Sequence, residues 1–148
     1  MSESLLNQWA NCMTENNWEF FINKKRNSIV FRVTGSGQTH PVEFRIREDS
    51  QLVIGTLTYV KKCPEEYRQT MGNYIAQQNF KMTIGGFEMN RKDGEVRFRN
   101  SLDIESIVIT PLFVENFVKN ITITGCRFYR SIVSIMNGGS VSAALELL

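Results

Sequence analysis

The chain has 148 residues, of which 42% are hydrophobic, 11% aromatic and 22% charged. That composition excludes disorder and suits one folded domain, expected to span residues 1–148. Its net charge of +2 is too weak to demand a nucleic-acid partner, and no apolar run is long enough to cross a bilayer.

In chain order, Leu5, Leu6, Trp9, Ala10 and Met13 recur at helical spacing, with Ser2 or Ser4 as N-cap and Asn16-Asn17 as the stop. Trp18 to Ile22 reads as extended. Ile29, Phe31 and Val33 then alternate against Arg32 and Thr34. After a Gly35-Ser36-Gly37 turn, Val42, Phe44 and Ile46 alternate against Glu43, Arg45 and Arg47. Glu48-Asp49-Ser50 makes a second turn, and the β-branched residues of Gln51 to Val60 predict a third strand. Short turns between consecutive strands imply antiparallel pairing.

Pro64 followed by Glu65 and Glu66 suits a helix start, and Tyr67, Met71, Tyr74, Ile75 and Gln78 lie on one stripe of a helix running to about Asn79. Strand periodicity returns at Met82 and Ile84 and resumes, one residue out of phase, at Phe87 and Met89; this slip at Gly85-Gly86 predicts a β-bulge. Asp93-Gly94 signals a hairpin, and the returning strand points Val96, Phe98 and Leu102 inward. Thr110-Pro111 opens a long helix with Leu112, Phe117, Val118, Ile121, Phe128, Ile132 and Ile135 as its buried stripe. A kink or break is expected within Ile121 to Gly125, a stop at Gly138-Gly139, and one further turn or two before Leu148. The expected fold class is α+β, in the order α-β-β-β-α-β-β-α, with a twisted antiparallel sheet of about five strands flanked by helices.

Few residues offer chemistry. Cys12, Cys63 and Cys126 are odd in number and contain no C-x-x-C pair, which argues against a disulfide framework or a zinc site and favours a reducing compartment. Met1-Ser2-Glu3-Ser4 lacks signal-peptide features, so a cytoplasmic location is expected and the Asn120-Ile121-Thr122 sequon is chance. His40, the sole histidine, reads as a solvated turn residue with nothing nearby in sequence to orient it as a base. Cys63 lies close to a helix N-terminus, which could lower its pKa. The carboxylates each have a structural role, and no catalytic, cofactor or metal residues are assigned.

The basic residues are the main surface feature. Arg32, Arg45, Arg47, Arg97 and Arg99 all take outward strand positions, so one sheet face could present guanidinium groups to an anion or an acidic partner. Glu43, Glu88 and Glu95 alternate onto the same face, where cross-strand pairing would use up part of that charge, and no aromatic side chain is interleaved to stack bases.

The helix ending Asn73-Tyr74-Ile75-Ala76-Gln77-Gln78-Asn79-Phe80 leads into Gly85-Gly86-Phe87-Glu88-Met89 and then Asp93-Gly94-Glu95-Val96-Arg97-Phe98-Arg99. This run resembles the G-x-F-x-hydrophobic-x-x-x-D-G-x-V-x-[YF]-R core of the YbjN-domain family of bacterial sensory transduction regulators. Thr110-Pro111, the Phe128-Tyr129 pair and Ala143-Ala144-Leu145 extend the similarity; before Pro64 only the strand patterning is compatible. The resemblance implies a fold similar to type III secretion chaperones, a dimer, and no catalytic residues.

Three functions compete on this reading. The first is a non-enzymatic binding or regulatory module, a small homodimer with an unidentified protein partner. The others are nucleic-acid or anion binding through the arginine face, and an enzyme with a pocket near His40 or Cys63. The apolar residues between Leu112 and Met136 are dense enough to wrap more than one helix face, and a second subunit is one way to cover them.

Overall fold

A computed structural model describes residues 3–148. The first helix, α1 (Leu5–Glu15), is capped by Ser4, whose side chain accepts from the Asn7 amide. Ser2, the other expected cap, lies outside the described residues. Asn17, at φ 65°, turns the chain out of the helix. Strands β1 (Phe21–Asn23), β2 (Ser28–Gly35), β3 (Gln38–Arg47) and β4 (Leu52–Thr58) follow as an antiparallel meander. A 3-10 turn at Glu65–Tyr67 leads into α2 (Arg68–Lys81). The hairpin of β5 (Gly86–Met89) and β6 (Val96–Asp103) returns the chain to the sheet. Three helices complete it: α3 (Pro111–Arg127), α4 (Tyr129–Met136) and α5 (Val141–Leu145).

The fold is α+β, as the patterning implies, with six strands in the order β1-β2-β3-β4-β6-β5. The extra strand is β1, three residues long and too short to show alternation. The β5–β6 hairpin lays β6 against β4, so β5 becomes an edge. At Phe87 that edge is capped by a side chain: the Asn79 carboxamide accepts from the Phe87 amide at 2.8 Å and donates to the Phe87 carbonyl at 2.9 Å.

The helices bury the inward face of the sheet. Trp9 of α1 is fully buried and meets Phe44 and Phe117 edge-on, at ring separations of 6.2 and 5.5 Å. Such pairs contribute roughly 0.5–1.5 kcal/mol each beyond the area they bury. Phe87 continues the cluster against Phe98 and Phe128. The opposite face stays open, with Arg32, Pro41, Arg45, Arg47, Arg99 and Ser101 exposed.

Several expectations are corrected. The turn between β2 and β3 is only Ser36-Gly37, both with positive φ, the geometry of a tight hairpin. His40 is therefore a strand residue, and it continues the inward parity of Val42, Phe44 and Ile46 into full burial. No bulge forms at Gly85-Gly86: Met82 to Gly85 are not strand, Ile84 is exposed, and pairing begins at Gly86 opposite Arg99. The apparent phase slip is a loop that Gly85, at φ 75°, brings to the sheet.

The long helix breaks at Phe128, three residues beyond the expected segment, while Thr122 and Gly125 are buried within an unbroken α3. Leu112, assigned to its buried stripe, is exposed. Apart from Leu112 and Ile123, the apolar residues of α3 and α4 are covered within the chain itself, so their density does not require a second subunit.

Candidate functional site in an open groove on the sheet

All five arginines singled out from sequence share the open face. Arg32 lies on β2, Arg45 and Arg47 on β3, and Arg97 and Arg99 on β6, in the register that pairs Arg32 with Pro41, Arg45 with Ile54 and Arg99 with Thr56. The structure divides them. Glu88 on β5 takes Arg97 Nε at 2.5 Å and Arg99 Nη2 at 3.4 Å. Arg32, Arg45 and Arg47 have no carboxylate within 4.0 Å among the described residues.

A second carboxylate sits within the arginine lattice. Glu43 receives two hydrogen bonds from Arg26, at 2.9 and 3.0 Å, and one from the Ser28 hydroxyl at 3.0 Å. The Arg26 guanidinium holds its carboxyl below the usual carboxylate range, against the opposing pull of partial burial. Arg26 belongs to the β1–β2 turn and escaped the alternation argument, because turn residues carry no parity.

Of these residues Arg26, Arg32, Glu43 and Arg97 border a groove of about 980 Å³ that runs across β1, β2, β3, β4 and β6. Its apolar surface comes from Phe20, Phe21, Val30 and Pro41. Arg26, Arg32 and Arg97 line it together with Glu19, Glu43 and Glu95, so its charge is balanced. Phe21 is 79% exposed and lies opposite Val30, which puts an aromatic ring on a face where the alternation pattern had placed none. Only the pairing of β1 to β2 reveals it.

The histidine and cysteine positions are closed. His40 lies edge-on to the rings of Tyr59 and Tyr129, at 5.6 and 4.9 Å, and neither of its buried ring nitrogens makes a well-formed hydrogen bond. Burial pushes its pKa below the ordinary range, and the Gly35 backbone offsets only part of that. The expectation of a solvated histidine fails, because the two-residue turn leaves position 40 inside the sheet. Burial also raises the Cys63 thiol pKa, against the attraction of Arg68 and Lys61, so the expected lowering at a helix start does not occur. Its Sγ points to the Pro64 carbonyl at 3.6 Å. Cys126 is likewise raised by burial. His40 and Cys63 form no nucleophile–base pair, and no cluster of three or more metal-ligating side chains occurs among the described residues.

What the arrangement can do is bind. An open groove with an apolar floor and fixed charges of both signs suits a segment that offers both kinds of contact.

No helix among the described residues is long and apolar enough to cross a membrane. No curated protein matches the chain in sequence. A solved structure of YbjN from E. coli, described as "a putative transcription regulator", superposes with a TM-score of 0.61 over 89% of each chain at 8% identity, a likeness of fold alone. The family model of YbjN, described as "Putative bacterial sensory transduction regulator", matches residues 8–133. The interrupted glycine-rich hairpin, the Thr110-Pro111 helix start and the α+β sheet all lie within that span, and the chain belongs to the YbjN family.

Proposed function

We propose that this chain is a one-domain, non-enzymatic regulatory module that works in the cytoplasm by holding a segment of another protein in the sheet groove. The observation that carries this reading is the groove itself: about 980 Å³ of open concavity, with Phe20, Phe21, Val30 and Pro41 beside Arg26, Arg32, Glu19 and Glu95. Apolar anchors supply affinity, and charges of both signs at the rim fix the register of the bound segment. The family's description as a sensory transduction regulator supports the same reading.

The test is a photo-crosslinking residue placed at Thr56, inside the groove, and in a control at Asn116 on the exposed side of α3. In the native host the Thr56 position should give one discrete adduct that the control lacks. Equal adducts from both positions, or none from Thr56, would defeat the reading.

A symmetric dimer belongs to the same proposal. Its support lies at the start of α3, where Ile107, Val108 and Leu112 are exposed close together in sequence. Isologous pairing is the commonest way for a small chain to cover such a patch.

A second reading is contact with nucleic acid. Arg32, Arg45 and Arg47 favour it, since no carboxylate neutralises them directly, and so does the E. coli protein's description as a transcription regulator. Glu19, Glu43 and Glu95, which line the groove beside Arg32, weigh against it.

A further inference from the structure

A second concavity, sharing no residue with the sheet groove, opens where the end of α2, the 82–85 segment and α3 converge. It has a volume of about 440 Å³, within the range of roughly 300–1,000 Å³ typical of small-molecule sites. Met82, Ile84 and Phe128 give it an apolar wall, while Gln78, Asn120 and Thr124 add polar groups. Lys81 and Arg127 are its charged residues, and no carboxylate lines it.

Three features point to an anionic ligand with an apolar portion. Lys81 and Arg127 make no ion pair among the described residues, and Arg127 is held with its guanidinium carbon 5.7 Å from the centre of the Phe128 ring. Each cation also faces the carbonyl end of its own helix, but that dipole amounts to about half a charge and leaves the site positive. Gln78 is buried, and its Nε2 has no hydrogen-bond partner. A buried amide donor left unpaired is costly, and Gln78 carries that cost beside the two cations. Ile84 and Ile123, 56% and 62% exposed, extend the apolar surface; Ile123 shares the α3 stripe of Asn120, Thr124 and Arg127.

We propose that this groove binds a small amphipathic carboxylate, with its acid group between Lys81 and Arg127 and its apolar part along Met82, Ile84 and Phe128. The site is independent of the sheet groove and gives a regulator of this family a place to take up a metabolite-sized ligand.

Titration of the intact protein with decanoate below its micelle concentration, followed by amide chemical shifts, tests the assignment. Decyltrimethylammonium, with the same tail and the opposite charge, is the control. Saturable shifts confined to Gln78, Thr83, Ile84, Asn120 and Thr124 are expected for decanoate alone. The double variant Lys81→Ala, Arg127→Ala alters exposed side chains and should weaken binding about tenfold. Gln78→Leu should raise the melting temperature, by removing an unpaired buried donor. Equal shifts with both amphiphiles, undiminished binding by the double variant, or no saturable shift at millimolar decanoate would overturn the proposal.

Discussion

Gly55 of β4 lies directly beneath Ile121 of α3: a Cβ at position 55 would fall on Ile121 Cδ1 and within 3.0 Å of Phe117 Cε1 and Phe44 Cδ1. A few residues along, Gly125 of α3 meets the Leu57 side chain, where an added Cβ would lie 2.6 Å from Cδ1. The two glycines form a seat, one in the sheet and one in the helix, that lets α3 come down onto the core.

Gly55→Val should therefore overpack this seat and destabilise the fold by about 1–3 kcal/mol. Thr58→Ser, on the open face of the same strand, should stay within about 0.5 kcal/mol. Urea denaturation of the three proteins checks this, and near-equal midpoints would show that the helix can lift without cost.

His40 predicts a pH dependence. Its pKa in the folded chain lies below the ordinary 6.5, so the unfolded chain takes up the proton first. Stability is complete above about pH 6.5 and declines as pH falls from there toward the depressed folded value. Glu43 acts separately: its folded pKa is lowered from 4.5, so its contribution is lost only at more acid pH. His40→Phe should keep the edge-on packing with Tyr59 and Tyr129 and flatten the profile between pH 7 and 5. Parallel profiles for the two proteins would remove His40 as the cause.

On the open face, the Glu88 pairing with Arg97 and Arg99 and the glutamates of the groove should prevent nucleic-acid binding. At an ionic strength of about 0.15 M, fluorescence anisotropy should detect no complex with duplex DNA or single-stranded RNA. A micromolar complex that weakens steeply with salt, and is lost when Arg45, Arg47, Arg97 and Arg99 become Glu, would put the second reading first.

Sedimentation equilibrium at micromolar concentration should give twice the chain mass of 17.0 kDa. Val108→Asp with Leu112→Asp should return the monomer without loss of fold, since both side chains are exposed. A wild-type monomer would end the dimer proposal while leaving the groove reading intact.

Wherever local chemistry decides the outcome, the sequence is a good guide. Alternation on β2, β3 and β6 placed the five arginines on one face, and Ser4, Thr110 and Pro111 fixed helix starts, because parity and capping involve only neighbouring residues. The groove was not legible, since it is assembled from five strands whose lateral order depends on tertiary packing. His40 was misread because the extent of a glycine-rich turn depends on φ angles: Ser36 adopts a positive φ that composition alone does not announce. Gly85 misled for the opposite reason, a loop residue imitating a slip within a strand.

The carboxamide of Asn79 has a consequence for the company this sheet keeps. Bare amide and carbonyl groups along β5 would be a template on which another chain could add itself, the first step of edge-to-edge aggregation. Asn79 presents to Phe87 the donor and acceptor that a seventh strand would bring. At Phe87 the sheet thus ends on a side chain tethered to α2, and pairing with a copy of the chain is blocked at that residue.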